Sequence, residues 1–271
     1  MPLLNTENAF GTLCTSQDMT ATYERPICVK SSDETQGSFT TGIKVLPNGN
    51  IAVADDNNYS VKIIDTHLDK VIHRHQLSSW PWDLIPGDRL AVTLPFIHSD
   101  QYLNTSKELN FANTLTLKDK PYGIAYHSGQ LVVSCVGDAH VVQILSLEGV
   151  VQRTFSHGFK FPYYVTIDDH SNILIADGYN SRVVKLDWEG NVRGSYTDDD
   201  LKQPRGVTWC GGGKFLVCSK DTDDVHLVSE DCVKIKQLFG KKRRTTQPVR
   251  FVYEFKTRDD LPKFQKRRES N

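Results

Sequence analysis

Nowhere does the chain approach the ~20 consecutive apolar residues that a helix needs to cross a bilayer. Its first residues, MPLLNTENAFGTLC, have neither a basic start nor an apolar stretch, so they do not read as a secretory leader. There is no Cys-x-x-Cys pair, and Cys14, Cys28, Cys135, Cys210, Cys218 and Cys232 match no Cys/His spacing that binds zinc. A chain of 271 residues needs no metal or disulfide staple, because it buries a sizeable core without one. Net charge is also small, −1 in all. The expectation from these absences is a cytoplasmic protein with reduced thiols, no membrane association, no metal and no cofactor. A Gly-x-Ser-x-Gly elbow and a His-Glu-x-x-His pair are missing too, so no catalytic residues are assigned.

The charges nearly cancel in total but are unevenly placed. Residues 241–271 hold 11 Lys/Arg against 4 Asp/Glu, a net of +7, which leaves −8 for residues 1–240. The tail clusters KKRR (241–244) and KFQKRR (263–268) are similar to nuclear-localisation or nucleic-acid patches, although solvated runs of this kind are commoner.

What the sequence does contain is a repeat. Thr40, Pro81, Pro121, Pro162 and Pro204 occupy one slot, 40 to 42 residues apart. After this anchor come an alternating apolar run, a turn rich in Gly, Asn and Asp, and a second run (IAVAD, LVVSC, ILIAD, FLVCS). Third runs begin at Val61, Val141, Val183 and Val225, and a short fourth run closes each unit. Four period-2 runs bounded by turn residues make a four-stranded antiparallel meander. Such a sheet has two apolar faces and covers neither. Stacking successive units around an axis covers both, so a constant period near 40 predicts an all-β propeller. A β-sandwich is the alternative, but it requires no constant period.

The unit Pro-x-Gly-[Ile/Val] … Ala-Asp-x-x-Asn resembles the NHL repeat, most clearly over Pro162–Leu186 and next in IAVADDNNYSVKIID. Cys135 and Ser219 stand where the pattern has Asp55 and Asp177. The segments PWDL…LAVTLP, YGIAYHSGQLVVS and LDWEGNV…GSYTDDDL…PRGVT resemble the C-terminal NHL region of tripartite-motif (TRIM) ubiquitin ligases. That resemblance implies an NHL-type propeller of about six four-stranded blades. Five are recognisable in residues 39–240. The sixth is expected to be incomplete, built from residues 1–38 (TYERPICVKSS is a candidate strand) and from QPVRFVYEF at the start of the basic tail, residues 241–271. In unit two the third strand is blurred in FIHSDQYLNTSKELNF, and a long loop is expected there. In the ligase family the chemistry belongs to a RING, a B-box and a coiled coil. This sequence has no Cys/His cluster and no heptads for them, so only substrate recognition is implied.

In a propeller the loops leading into each first strand share a face with the loops joining second and third strands. The slot after the anchor holds Trp82, Tyr122, Tyr163 and Arg205, with Trp80 nearby. The second-to-third loops add Asn58, Tyr59, His140, Tyr179, Asn180 and Arg182. Aromatic and Arg side chains are common interface anchors, and packing between blades is the competing role for these rings. Asp55 and Asp177, each with Asn three residues on, read as turn builders. A protein partner, by resemblance a ubiquitination substrate, is the expected ligand. RNA is the alternative, disfavoured because seven Asp in those loops (55, 56, 138, 177, 221, 223 and 224) face only Arg182 and Lys220. A calcium-dependent propeller lactonase is the enzymatic alternative. The first-strand residues Ile43, Val45, Ile124, Val165, Ile167 and Val207 offer it no ligands.

Overall fold

The computed structural model describes residues 27–239 apart from residues 88 and 105–108. Within these, five antiparallel sheets follow one another, each with its strands side by side in chain order. The first comprises β1 (Thr40–Val45), β2 (Ile51–Asp55), β3 (Ser60–Asp65) and β4 (Lys70–Gln76). The second comprises β5 (Leu84–Ile85), β6 (Arg89–Leu94), β7 (Ser99–Asn104) and β8 (Asn110–Thr116). The third holds β9 (Lys120–His127), β10 (Gln130–Val136), β11 (His140–Ser146) and β12 (Val151–Phe155). The fourth holds β13 (Pro162–Ile167), β14 (Ile173–Asp177), β15 (Arg182–Leu186) and β16 (Val192–Tyr196). The fifth holds β17 (Pro204–Gly211), β18 (Lys214–Ser219), β19 (Asp224–Ser229) and β20 (Lys234–Phe239).

The anchor slot has a local reason. Thr40, Pro162 and Pro204 pair with Asp55, Asp177 and Ser219, and a register shift follows each pair at once. A bulge at the start of a strand tolerates the missing N–H of proline. Consecutive sheets are then joined by apolar clusters. Ala54, Val61 and Leu84 belong to the one between sheets one and two, and Val132, Ile144 and Ile175 to the one between three and four. Leu131, Leu145 and Tyr102 join sheets two and three, and Trp209, Phe215 and Leu174 join four and five. Both faces of the middle sheets are therefore core, as a propeller requires.

The glycine of the repeat occupies Gly42, Gly123 and Gly206, whereas Asp83 and Tyr164 fill the slot in the second and fourth sheets. A Cβ on Gly123 would meet backbone atoms of the next first strand: Tyr164 Cα at 2.6 Å, Val165 N at 2.8 Å and Tyr163 O at 2.9 Å. At Gly42 the obstacles are Asp83 Cα at 3.0 Å and Trp82 O at 3.1 Å. First strands thus approach backbone to backbone, and the larger slot residues bond to other first strands. Tyr164 donates its hydroxyl to Thr41 O at 2.5 Å, and the Asp83 carboxylate accepts the Ile124 N–H at 3.1 Å. Gly123→Ala is expected to cost about 3 kcal/mol, because no side chain can move to relieve a backbone clash. Urea unfolding should show this as a lower midpoint at an unchanged slope. Gly206→Ala is the control, since its Cβ would meet only Cys218 at 3.6 Å.

Three expectations need correction. Five sheets, not about six, occupy the described residues. The material assigned to a sixth lies mostly outside them, as do QPVRFVYEF and both basic clusters of the tail. The described part of TYERPICVKSS, residues 27–32, forms no strand. It lies instead against the outer face of the first sheet, where the fully buried Lys62 donates to Val29 O at 2.8 Å, Glu34 Oε2 at 2.6 Å, Ser38 Oγ at 3.2 Å and Asp55 Oδ2 at 2.6 Å. Lastly, the third strand of unit two is well formed. β7 pairs along its whole length with β6 and β8, and only a short 3-10 turn, Pro95–Ile97, precedes it. Its polar residues Asp100 and Gln101 are what hid the alternation.

Among the described residues no helix is long and apolar enough to cross a membrane.

Candidate functional site

The loops that lead into first strands and those that join second to third strands are tied together by backbone hydrogen bonds. Asp56 N donates to Phe39 O, Tyr179 N to Lys160 O and Lys220 N to Gln203 O. The Asp/Asn pairs clamp the same junctions from their side chains. Asp55 accepts the Phe39 N–H at 2.9 Å and the Asn58 amide at 2.9 Å. Asp177 accepts the Lys160 N–H at 2.7 Å, the Asn180 amide at 2.7 Å and Arg182 Nε at 2.9 Å. In the fifth sheet Ser219 and Thr222 do the same work: Ser219 Oγ takes the Lys202 N–H at 2.8 Å and the Thr222 hydroxyl at 2.6 Å. The break in the repeat at Ser219 therefore keeps the hydrogen bonds and drops the charge.

These clamps sort the expected site residues into three groups. Asn58, Asn180 and Arg182 are half-buried and bonded within the loops, with Arg182 also donating to His157 O at 3.0 Å. His140 belongs with them, since its Nδ1 lies 3.3 Å from the Phe161 N–H. A second group closes the axis. The Trp82 ring is stacked on Tyr163 at 5.6 Å and meets Tyr122 edge-on at 4.9 Å. The Arg205 guanidinium lies 4.0 Å from the Tyr163 ring centroid and 5.3 Å from that of Trp82. Tyr163 is buried, and burial pushes its phenol above the ordinary range against the pull of Arg205. This group packs together the entries to the first strands of sheets two to five.

The third group faces solvent: Tyr59, Trp80 and Tyr179. The structure adds residues that the sequence did not single out. Phe96, 63% exposed, stacks on the 44%-exposed Trp80 with centroids 4.9 Å apart and planes 21° from parallel. Ile97 is exposed beside it, and Phe161 lies 4.6 Å from the Tyr179 ring. The available signal was the sequence Leu94-Pro95-Phe96-Ile97-His98, which sits in the second-to-third loop slot of unit two. Two concavities meet at Trp80. The larger, about 340 Å³, is lined by Gln36, Asp56, Asn57, Tyr59 and Trp80. The smaller, about 70 Å³, lies between Trp80, Trp82, Phe96, Lys120 and Tyr122 with Pro81 and Pro95.

The face is less acidic than a count of its loops implies, because Asp55, Asp177 and Asp224 are buried. Among the described residues no group of three or more His, Cys, Asp or Glu side chains is placed to hold a metal ion.

No family model matches the chain, and no curated protein sequence matches it. Solved structures do. A catalytically inactive virginiamycin B lyase from Staphylococcus aureus with quinupristin is 13% identical, covering 78% of this chain and 72% of that one at a TM-score of 0.63. The RRP9 WD40 repeats are 13% identical over 74% of this chain and 63% of that one, TM-score 0.61. The β-propeller domain of Cps50 (Swd1), given as from Myceliophteria thermophila, is 9% identical over 74% and 73%, TM-score 0.60. At such identities the likeness shows the fold, a β-propeller. Enzymes and WD40 domains alike are built on it.

Proposed function

We propose that the protein is a non-catalytic scaffold that binds a protein partner on the loop face around Trp80. The observation that carries this reading is the Trp80–Phe96 pair. Two large rings lie stacked and open to solvent beside Tyr59 and Ile97, on loops that clamps and the Trp82–Tyr163–Arg205 cluster hold rigid. Exposed aromatic surface of this kind costs free energy in an unbound protein and returns it on burial against a partner. The occurrence of the same fold in the RRP9 WD40 repeats supports a binding role over a catalytic one. We propose further, from the resemblance of its repeats, that the partner is a substrate recruited for ubiquitination in a tripartite-motif type of system, in the cytoplasm. Among the described residues no disulfide joins the five cysteines, which supports a reducing compartment.

The test is a double variant, Trp80→Ala/Phe96→Ala. Partners captured by the intact chain are identified and their affinities measured by titration. The variant should bind at least tenfold more weakly while its melting temperature moves by less than about 2 °C, as expected for exposed residues. Undiminished binding by the variant would place the interface elsewhere. Capture of RNA with a steep fall in affinity as salt rises would replace the protein reading with the nucleic-acid one.

A further inference from the structure

The outer edges of the five sheets are not alike. β4, β12, β16 and β20 each carry Lys or Arg, in KVIHRHQ, VQRTF, VRGSY and KIKQLF. β8, NFANTLT, is the one fourth strand of the described sheets with no charged residue, and it has no proline. Charge and proline are the usual devices that keep an edge from pairing with another chain. β8 retains one other device, a register shift between Tyr102 and Leu103, but from Asn113 to Thr116 its pairing with β7 is regular. Leu117 N donates to His98 O at 2.8 Å, the next step of the same ladder. Antiparallel pairs alternate, so Leu115 and Asn113 also turn their backbone groups to β7, while Thr114 and Thr116 turn theirs to the open side. Both threonines are exposed. Phe111, on the same strand, is 52% exposed. Leu115 abuts Gly149, and Val150 and Val151, next in the chain, are exposed as well.

We propose that this edge pairs with β8 of a second copy of the chain. A row of outward N–H and C=O groups is satisfied by an extended backbone, and in an antiparallel pair a strand can match itself about a two-fold axis. With the axis at Leu115, Thr114 of each copy faces Thr116 of the other, which gives about four backbone hydrogen bonds. The opposed side chains are then Thr against Thr, a favourable cross-strand pair, and Leu115 against its own copy. The absence of charge selects this occupant. Self-pairing of β4, β12, β16 or β20 would bring like charges together, and self-pairing of β8 brings none. The second sheets of the two copies then run on as one. A ladder this short, even with its apolar flank, is smaller than the ~1,600 Å² of a standard interface, so the dimer is a micromolar one. The contact uses none of the residues of the Trp80 face.

Sedimentation equilibrium of the full chain is the experiment. The mean mass should rise from one chain towards two between about 5 and 500 µM. Thr114→Lys/Thr116→Lys sets Lys opposite Lys in both threonine pairs and should weaken the dimer at least tenfold. Thr114→Glu/Thr116→Glu should do the same. Mixing the two variants should restore association, as a heterodimer at least as tight as the wild-type dimer. Both positions are exposed, so each melting temperature should move by less than about 2 °C. Trp80→Ala/Phe96→Ala should dimerise as the wild type does. A chain that stays monomeric throughout overturns the proposal. So does a dimer that both charged variants leave intact, or a mixture that forms no heterodimer. Loss of the dimer in Trp80→Ala/Phe96→Ala would place self-association on the loop face and overturn it too. A monomer whose protein partner is released by the Lys variant would assign the edge to a strand of that partner, and the second copy would be wrong.

Discussion

Lys62→Ala should destabilise the protein by about 3–5 kcal/mol, the cost of stranding buried charges, and lower its melting temperature by roughly 10 °C. Lys62 is 0% exposed and lies 2.6 Å from both Glu34 and Asp55, whose side chains are 2% and 0% exposed. Arg74 Nε, 3.2 Å from Glu34, is the next cation and is partly open to water. Removing Lys62 thus leaves two carboxylates buried with half their compensation. The loss is local in origin but not in effect. Lys62 also holds Val29 O and Ser38 Oγ, so it pins residues 27–38 over the outer face of the first sheet. Asp55 helps fix the sign of the pH dependence. Burial pushes its pKa up, but hydrogen bonds from Lys62, Asn58, the Phe39 N–H and Ser38 outweigh this and hold it below the ordinary 3.8. A depressed carboxylate pKa stabilises the fold above the unfolded-state value, and that contribution vanishes as pH falls through the folded-state value. The wild type therefore loses this stability only below about pH 4. In the variant Asp55 loses the Lys62 hydrogen bond that holds its pKa down, so its protonation relieves buried charge and the deficit should shrink as pH falls from 7 to 4. The triple variant Lys62→Met/Asp55→Asn/Glu34→Gln should recover most of the loss, because it removes the charges together. Urea titrations at pH 7 and pH 4.5 check both points. A loss under 1 kcal/mol, or a deficit that grows in acid, would show that the lysine is not what keeps these charges buried.

The blade plan is legible in the sequence because it repeats. A proline or threonine at each bulge, a backbone approach that admits only glycine at residue 123, and an Asp/Asn clamp each leave a residue type at a fixed offset. Chemistry that departs from the repeat is harder to read. Ser219 and Thr222 clamp their loop as well as Asp and Asn do, so the weakened pattern there signals no weakened structure. Alternation also loses its usual meaning here. In a half-exposed sheet a lysine within a strand points to water, but a propeller buries both faces, so Lys62 in Ser-Val-Lys-Ile-Ile is as buried as the valine before it. The loop face divides along the same line. Sequence finds aromatics in equivalent slots, but exposure depends on depth along the axis, which no spacing records. Tyr163 is buried, whereas Trp80 and Phe96 are open. Phe96 went unread because β7, just after it, carries Asp100 where an apolar residue is expected.

Asp100→Asn should stabilise the protein at pH 7 by about 2 kcal/mol or more, and the gain should grow with pH. Asp100 lies in β7, 0% exposed, and shares a sheet face with Tyr102 of the apolar cluster between the second and third blades. Neither carboxyl oxygen has a hydrogen-bond partner among the described residues. Burial alone lifts its pKa to about 8. This is the reverse of Asp55: a raised carboxyl pKa means that the folded state binds a proton the unfolded state releases. The group contributes no penalty below the unfolded value near 3.9, then costs about 1.4 kcal/mol for each pH unit up to the folded value. At pH 7 the cost is on the order of 4 kcal/mol, and an amide of the same shape avoids it, less the cost of burying an N–H₂ group without partners. Unfolding free energies measured from pH 4.5 to pH 8 should fall more steeply for the wild type than for Asp100→Asn, and the two should converge at the acid end. A larger residue such as Leu is a poor substitute, because it would confound lost charge with altered packing. Parallel pH profiles would mean that Asp100 stays ionised in the folded protein and has a partner. A variant less stable than wild type at every pH would mean that a protonated carboxyl donates a hydrogen bond the amide cannot replace.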